Sequence, residues 1–191
     1  LDDLSIRFRT RLRNGVLFAL RKSPQDQQPS LILSLEDGRL KLAYDRMKND
    51  KAIYLGDQNI FNNNKWHTVN VKRYGPNVRL EIVTDGQKDR LFVIDDLGEE
   101  FQNIQYRLID IGGIRDINQN ENPNFIGWLQ NIKLNGEDLL SYYRNDKTPT
   151  WAKSIQGTAD PGEFSLLLHH AITFSTPCRF TLPHTYSASN N

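Results

Sequence analysis

The sequence predicts an all-β domain made of short antiparallel strands that form a sandwich. Apolar and polar residues alternate along several short segments, and turn-forming residues separate these segments about every ten residues. No window within residues 1–135 carries apolar residues at helical spacing with a cap at both ends. Because 191 residues lie within the size range of one sandwich, we expect a single domain over residues 1–191.

The chain begins with a period-2 pattern that is typical of a half-buried strand. Its apolar face would carry Leu4, Ile6 and Phe8, and its polar face Ser5, Arg7 and Arg9. The pair Asn14-Gly15 separates this strand from the apolar run 16–20, and glycine readily adopts the positive φ of a hairpin turn. We therefore expect the first two strands to be antiparallel neighbours.

Later segments repeat this strand and turn chemistry. The runs 31–35 and 40–44 flank a turn at Asp37-Gly38, and the runs 66–73 and 78–82 flank a turn at Gly75-Pro76. Runs at 108–113 and 125–132 would complete a meander. A single helical turn is expected over 138–143, and residues 146–163 would form a loop around a short strand.

Charge and composition exclude several classes of partner. With 24 Lys and Arg against 23 Asp and Glu, the net charge of +1 provides no global attraction to nucleic acid. No apolar stretch is long enough for a membrane span, so direct membrane insertion is not expected. The single Cys178 cannot form an internal disulfide, and cysteine content therefore says nothing about the redox compartment.

Three stretches, in this order, resemble the laminin-G/neurexin (LNS) family. They are 4–10 with 14–18, the tryptophan-histidine strand 64–69, and the late strand and turn 124–136. The resemblance covers residues 1–136 and extends more loosely beyond them. It implies a jelly-roll β-sandwich of two antiparallel sheets, related to the laminin-G and concanavalin folds, with ligand contacts on loops at one rim.

The resemblance also implies a function. It suggests an extracellular, non-catalytic module for protein recognition or cell adhesion, as at synapses, within a larger membrane-anchored or secreted protein. The position after Gly127 is commonly Cys in this family and pairs with a Cys near the end of the domain, whereas this chain has Trp128. That tryptophan resembles the first LNS domain of α-neurexins and explains why Cys178 lacks a partner.

The last residues, 171–191, resemble the stretch that normally precedes the opening strand of this family. Since the first and last strands lie side by side in the family, residues 171–191 could supply the first strand in a permuted order. The alternative is that they begin a following segment.

Loops 23–29, 59–64 and 116–124 are the expected rim, and Asn62, Asn63 and Asn122 are candidate contacts with a cell-surface or matrix protein. The family often binds calcium there, but the expected acidic position aligns with Pro29. Asp26 and Asn124 remain weak metal candidates, because calcium requires several oxygen ligands including carboxylate. We therefore expect no required cofactor and at most weak calcium binding.

Arginines recur along the opening segment. If the first strand continues far enough, Arg7, Arg9, Arg11 and Arg13 share one side and form a cationic stripe for heparan sulfate or an acidic protein. The alternative is a solvated sheet face whose arginines pair with neighbouring acids. A lectin-like, glycan-binding domain is therefore the second function considered.

The sequence offers no catalytic residues, and we predict that the chain is not an enzyme. His67 has no partner at a metal-ligand or triad spacing. The pairs Asp95-Asp96 and Glu99-Glu100 are interpreted as loop charges, because neighbours on a strand point to opposite faces. Trp66 and Trp128 are expected to be core or near-core anchors.

Overall fold

Fourteen strands and one short helix make up the described part of this computed structural model. The structure describes residues 3–23, 25, 30–44, 51–88, 90–96, 105–114, 123–144, 154–156, 172–174 and 178–187. The strands are β1 (Asp3–Arg9), β2 (Gly15–Arg21), β3 (Leu31–Glu36), β4 (Arg39–Tyr44), β5 (Lys51–Leu55), β6 (His67–Tyr74), β7 (Asn77–Thr84), β8 (Arg90–Asp96), β9 (Gln105–Ile111), β10 (Gly127–Leu134), β11 (Glu137–Asp138), β12 (Ser154–Gln156), β13 (Ile172–Phe174) and β14 (Cys178–Ser187). The helix α1 spans Leu139–Arg144.

The strands form two seven-stranded sheets. The first sheet has the order β11-β10-β1-β6-β7-β8, with β13 also paired to β10, and the second has the order β12-β14-β9-β2-β3-β4-β5. Every pairing between these strands is antiparallel. This arrangement confirms the predicted all-β sandwich.

The core lies between the two sheets and follows the alternation in the sequence. On β1, Leu4, Ile6 and Phe8 are fully buried, while the residues between them are half-buried on the outer face of the first sheet. Every residue of β2 is buried. Its outer face is covered as well, because Val16 and Ala19 pack with other apolar residues in a second, smaller cluster.

The predicted hairpin between the first two strands is wrong. Strand β1 pairs with β6 and β10 in the first sheet, whereas β2 pairs with β3 and β9 in the second. Residues 10–14 therefore cross between sheets. Gly15 does not have a positive φ; glycine is needed there because a Cβ atom would lie 2.8 Å from the Cα of Phe125. Turn composition alone does not distinguish a hairpin from a crossing between sheets.

The predicted β3–β4 and β6–β7 hairpins are confirmed. Asp37 and Gly38 have φ values of 52° and 74°, the positive pair that a tight two-residue turn requires. The predicted meander is wrong, since β9 lies in the second sheet and β10 in the first. Strands β5 and β8 were not predicted, and Asp95-Asp96 end β8 instead of lying in a loop. Glu99-Glu100 lie outside the described residues.

The predicted helical turn is confirmed as α1. Asp138 caps it, because its Oδ1 accepts hydrogen bonds from the backbone N–H groups of Leu140 at 3.1 Å and Ser141 at 3.3 Å. No helix in the described part of the chain is long and apolar enough to cross a membrane.

The last two strands pair with different sheets. Strand β13 pairs with β10, and β14 lies between β9 and β12. Phe180 of β14 is fully buried in the core. The carboxylate of Asp110 accepts from Arg21 Nε at 3.0 Å and from Arg179 Nε at 2.6 Å, which joins β9 to β2 and β14. The assignment of 171–191 to a permuted first strand, or to a following segment, stays a prediction.

Candidate recognition surface at one rim

One rim of the sandwich is built from four chain segments, the first three of which backbone hydrogen bonds hold together. We define the rim as residues 10–14, 37–38, 56–66 and 123–127. The connecting bonds measure 2.8 to 3.0 Å and run from Asn64 N to Thr10 O, Gly38 N to Arg13 O, Asn59 N to Asp37 O, and Phe61 N to Gly38 O. Residues far apart in sequence therefore form one continuous surface.

The segment 123–127 is fixed to the same rim by both side-chain and backbone contacts. Thr10 Oγ1 donates a hydrogen bond to the carbonyl of Ile126 at 2.7 Å, and Val16 N donates to the carbonyl of Pro123 at 2.9 Å. At Gly127 a Cβ atom would lie 2.4 Å from the carbonyl oxygen of Arg9. Only glycine permits this close approach of β10 to β1.

His67 lies beneath the rim and orients one of its loops. The side chain is fully buried, with Nδ1 at 2.8 Å from Thr84 Oγ1 and Nε2 at 3.0 Å from Asn63 Oδ1. Asn63 Nδ2 donates to the carbonyl of Ile60 and its Oδ1 accepts from Lys65 N, so Oδ1 faces the imidazole. Nε2 therefore carries the proton.

His67 has a structural role. Burial lowers its pKa from the ordinary value to about 4, and the nearby Asp85 only partly opposes this shift. The imidazole is therefore neutral at physiological pH and acts as a donor to the rim loop. Among the described residues no group of three His, Cys, Asp or Glu could hold a metal ion.

Two large apolar side chains are exposed at the rim. Leu12 is 44% exposed and Ile126 is 54% exposed. Thr10 links their backbones, because its Oγ1 accepts from Leu12 N at 3.0 Å while it donates to the Ile126 carbonyl. Arg11 and Arg13, on either side of Leu12 in the sequence, are exposed as well. Sequence analysis did not select Leu12 or Ile126, since a single apolar residue in a polar turn carries no signal of exposure.

An arginine–tryptophan cluster adjoins the rim on the outer face of the first sheet. The Cζ atom of Arg9 lies 4.3 Å from the ring centroid of Trp128 and 5.5 Å from that of Trp66. The Cζ atom of Arg7 lies 4.8 Å from the ring centroid of Trp66. The expectation that both tryptophans anchor the core is therefore wrong: they are half-buried on the opposite face, where the guanidinium groups cover them.

The arginines predicted to form a stripe have different environments. Arg7 forms an ion pair with Asp85, and its Nη1 donates to Gln130 Oε1 at 3.0 Å. Arg9 is half-buried against the tryptophans. Arg11 lies beyond the end of β1 and is exposed. The strand does not continue far enough to place all of them on one regular face.

The predicted rim contacts are only partly described. Asn62 and Asn63 lie on the rim, and so does Asn124. The Oδ1 atoms of Asn62 and Asn124 are buried and have no hydrogen-bond partner among the described residues. Asn122 and Asp26 lie outside the described residues, as do the ranges 26–29 and 115–122. The calcium prediction therefore stays a prediction.

Comparison with known proteins identifies the family. Residues 8–137 match the family model of the laminin G domain. The chain belongs to the laminin G domain family. The match includes the whole rim, and it confirms the family that the three sequence stretches resembled.

Relatives of this laminin G domain include neurexins. Neurexin 1 of Drosophila melanogaster is 26% identical over 150 residues, and Neurexin-3a of Danio rerio is 30% identical over 153 residues. Each alignment covers 75% of this chain but only 8% of the relative. The chain therefore spans a small part of these relatives' length.

Solved structures agree on the fold. The LG1-3 region of the laminin alpha2 chain superposes with a TM-score of 0.58 at 20% identity, covering 73% of this chain and 28% of that one. This likeness supports the jelly-roll sandwich. As a laminin G domain with neurexin relatives, the chain is a binding module.

Proposed function

We propose that this laminin G domain acts outside the cell as a non-catalytic module that binds a protein partner through its rim. The observation that carries this proposal is the exposure of Leu12 and Ile126 on segments that hydrogen bonds hold in place. Exposed apolar groups on a fixed scaffold are typical of recognition surfaces, because they bury area without a large ordering cost. The neurexin relatives support a cell-surface or matrix protein as the partner, with the domain as one part of a longer adhesion protein.

The rim has the composition of a protein-binding surface. Its apolar centre of Leu12 and Ile126 is accompanied by Arg11, Arg13 and several asparagines, and an apolar centre with a polar border is the usual anatomy of an interface. Full burial of one such aliphatic side chain contributes about 1.5 to 3 kcal/mol. Because Leu12 and Ile126 are each about half exposed, burying what remains of both contributes roughly the value for one such side chain.

A pull-down from synaptic or matrix extract, with and without calcium, identifies the partner. We then expect Leu12→Asp and Ile126→Asp each to weaken binding of the purified partner at least tenfold, by roughly 1.4 kcal/mol or more. Tyr74→Asp is the matched control, since Tyr74 is 57% exposed but lies at the other end of the first sheet. Equal loss of affinity in all three variants, or in none, would contradict a rim interface.

The second candidate function is binding of heparan sulfate. Arg11 and Arg13 are exposed beside the arginine–tryptophan cluster, which gives the rim a local positive charge despite a net charge of +1. Salt-dependent retention on immobilised heparin tests this function. We expect Arg11→Glu with Arg13→Glu to abolish retention and Lys133→Glu, an exposed site near the far end of β10, to preserve it. Retention that is unchanged by the double reversal excludes this site.

We propose further that binding at the rim does not require calcium. Pro29 replaces the acidic ligand that the family resemblance implies, and the amide oxygen of Asn124 alone provides a weak ligand. Titration calorimetry with about millimolar calcium is the direct test, because the weakest calcium sites in proteins bind the ion at about this concentration. A clear isotherm, lost in Asn124→Ala, would show that calcium takes part.

A further inference from the structure

Strand β8 is an apolar edge of the first sheet. It is the last strand in the sheet order, and three of the seven large apolar side chains exposed in the described part of the chain belong to it. Leu91 is 43% exposed, Phe92 is 53% exposed and Ile94 is 56% exposed. Their pairing partners on β7 place Phe92 and Ile94 on the outer face and Leu91 on the inner face.

Among the described residues, the central part of β8 lacks the features that normally prevent strand pairing. An edge strand presents backbone N–H and C=O groups to any further strand, and native edges are usually short, bulged, interrupted by proline or charged at their centre. Strand β8 is seven residues long, follows β7 without a register shift and contains no proline. Its charged residues, Arg90, Asp95 and Asp96, lie at its ends. Of these, Asp95 lies opposite the buried Val78 and is the one charge on the inner face.

The sequence of β8 is complementary to itself in an antiparallel arrangement. If two copies pair about a twofold axis at Val93, Arg90 of each copy lies opposite Asp96 of the other, and Phe92 lies opposite Ile94. This register pairs all seven residues and keeps the outer faces of the two sheets on the same side. On the outer face both ends then pair opposite charges and the centre is apolar, whereas on the inner face Leu91 lies opposite Asp95. Within its own chain Arg90 also lies 3.6 Å from Glu81.

We propose that β8 is a homodimerisation edge, through which two copies of this domain join their first sheets about a twofold axis at Val93. An interface of this kind is closed, because each copy contributes the same strand. A second copy is favoured over another partner strand because β8 supplies both the positive and the negative end that its own antiparallel copy requires.

This arrangement leaves the proposed recognition surface accessible. The rim adjoins β1 and β10, which lie towards the other edge of the first sheet from β8. A dimer would therefore present two rims, and a partner with two matching sites would bind more tightly by avidity. The dimer does not depend on the proposed rim function, and either can fail without the other.

Sedimentation equilibrium at increasing protein concentration tests the dimer. We expect the mass to rise from 22.1 kDa towards twice that value. Arg90→Asp and Asp96→Arg should each weaken association about tenfold or more through like-charge contacts, and the double variant should recover most of it. A mass of 22.1 kDa at every concentration, or a double variant weaker than both single variants, overturns the proposal.

Two further variants separate a folding defect from loss of the edge. Ile94→Asp should abolish the dimer and, at a protein concentration at which the wild type is monomeric, leave the melting temperature unchanged, because Ile94 is exposed. Leu12→Asp at the rim should leave the dimer intact. If Ile94→Asp lowers the melting temperature of the monomer, the charge-reversal variants Arg90→Asp and Asp96→Arg test the dimer without it. Dimerisation that resists Ile94→Asp, or that is lost in Leu12→Asp, places the contact elsewhere.

Disulfide cross-linking tests the register. In a Cys178→Ser background, Val93→Cys places two thiols opposite each other at about 5 Å between Cβ atoms, and we expect ready formation of a covalent dimer. Leu91→Cys is the matched control, since its two copies would lie about 13 Å apart along the strand. Cross-linking at position 91 and none at position 93 refutes the Val93 axis. If another protein strand occupies the edge, neither position forms a covalent homodimer.

Discussion

The guanidinium group of Arg9 stacks on the indole ring of Trp128, with 4.3 Å between the Cζ atom and the ring centroid. The two residues are cross-strand partners on β1 and β10. Related domains commonly have a disulfide-forming cysteine at the position of Trp128, according to the sequence resemblance. In this chain Trp128 instead makes a cation–π contact with Arg9 on the outer face of the first sheet, beside the rim.

A double-mutant cycle should detect this contact as a coupling energy. We expect Arg9→Ala and Trp128→Ala to be coupled by about 0.5 to 2 kcal/mol, because the pair is partly shielded from water. Urea unfolding of the wild type, both single variants and the double variant provides the measurement. The pair Arg39 and Tyr54, at 4.4 Å on β4 and β5, is a control cation–π pair away from the tryptophans. Additive effects at Arg9 and Trp128 would mean that the stacking contributes nothing.

Gly15→Ala should destabilise the domain although the backbone at this position is unstrained. The new methyl group would lie 2.8 Å from the Cα of Phe125, and a backbone atom cannot rotate away. We expect a loss of about 1 to 3 kcal/mol, as for an overpacked core. Gly75→Ala is the comparison variant: it has open space but a φ of 60°, and should cost about 1 to 2 kcal/mol from the left-handed backbone alone. Thermal and urea unfolding compare the two. A smaller loss at Gly15 than at Gly75 would contradict the close approach.

Stability should fall as the pH decreases from 6.5 to 4 because of His67. Burial lowers its pKa in the folded state to about 4, so the unfolded chain binds a proton in this range that the folded chain does not. The contribution is fully present above pH 6.5 and amounts to at most about 3 kcal/mol. Urea unfolding of the wild type and of His67→Gln across this pH range isolates the contribution of His67 to the free energy of unfolding. The carboxylates are common to both proteins, so their contribution cancels in the comparison. This prediction would be refuted if the free energy of unfolding had the same pH dependence in both proteins, or if His67 titrated near pH 6.5 in an NMR experiment on the folded protein.

Removal of residues 171–191 should destabilise the domain. Phe180 is fully buried in the core, and Arg179 donates to the buried carboxylate of Asp110. Loss of a fully buried phenylalanine side chain typically costs about 3 to 5 kcal/mol. The truncated chain also leaves Asp110 with Arg21 as its remaining charged hydrogen-bond donor. Limited proteolysis followed by thermal unfolding measures the effect. Asp110→Asn in the full chain should produce a comparable loss. A truncated chain of unchanged stability would show that these residues belong to a following segment.

The prediction from sequence succeeded where the signal was local. The alternation of Leu4, Ile6 and Phe8 correctly indicated which face of β1 is buried, and Asp37-Gly38 correctly indicated a hairpin. The family was recognised from three short stretches. Strands β5 and β8 were missed: β8 is an edge strand with Leu91, Phe92 and Ile94 exposed, so its apolar residues do not alternate with polar ones.

The candidate site was predicted in part. Asn62, Asn63 and Asn124 do lie at the rim, although none of them has been tested as a contact. The exposed Leu12 and Ile126 were not foreseen, because exposure depends on which distant segments cover a residue. The role of Trp128 was misjudged for the same reason: an aromatic residue between two apolar ones can face either side of a strand.

The fold class, the family and the periodicity of individual strands could be inferred from local features of the sequence, since these depend on backbone preference and on the spacing of apolar residues. The tertiary structure decided which strands are neighbours, which backbone approaches require Gly15 and Gly127, and how the rim is assembled. These features depend on contacts between segments up to about a hundred residues apart, and the loop-closure cost that such contacts must overcome is not encoded in any single segment.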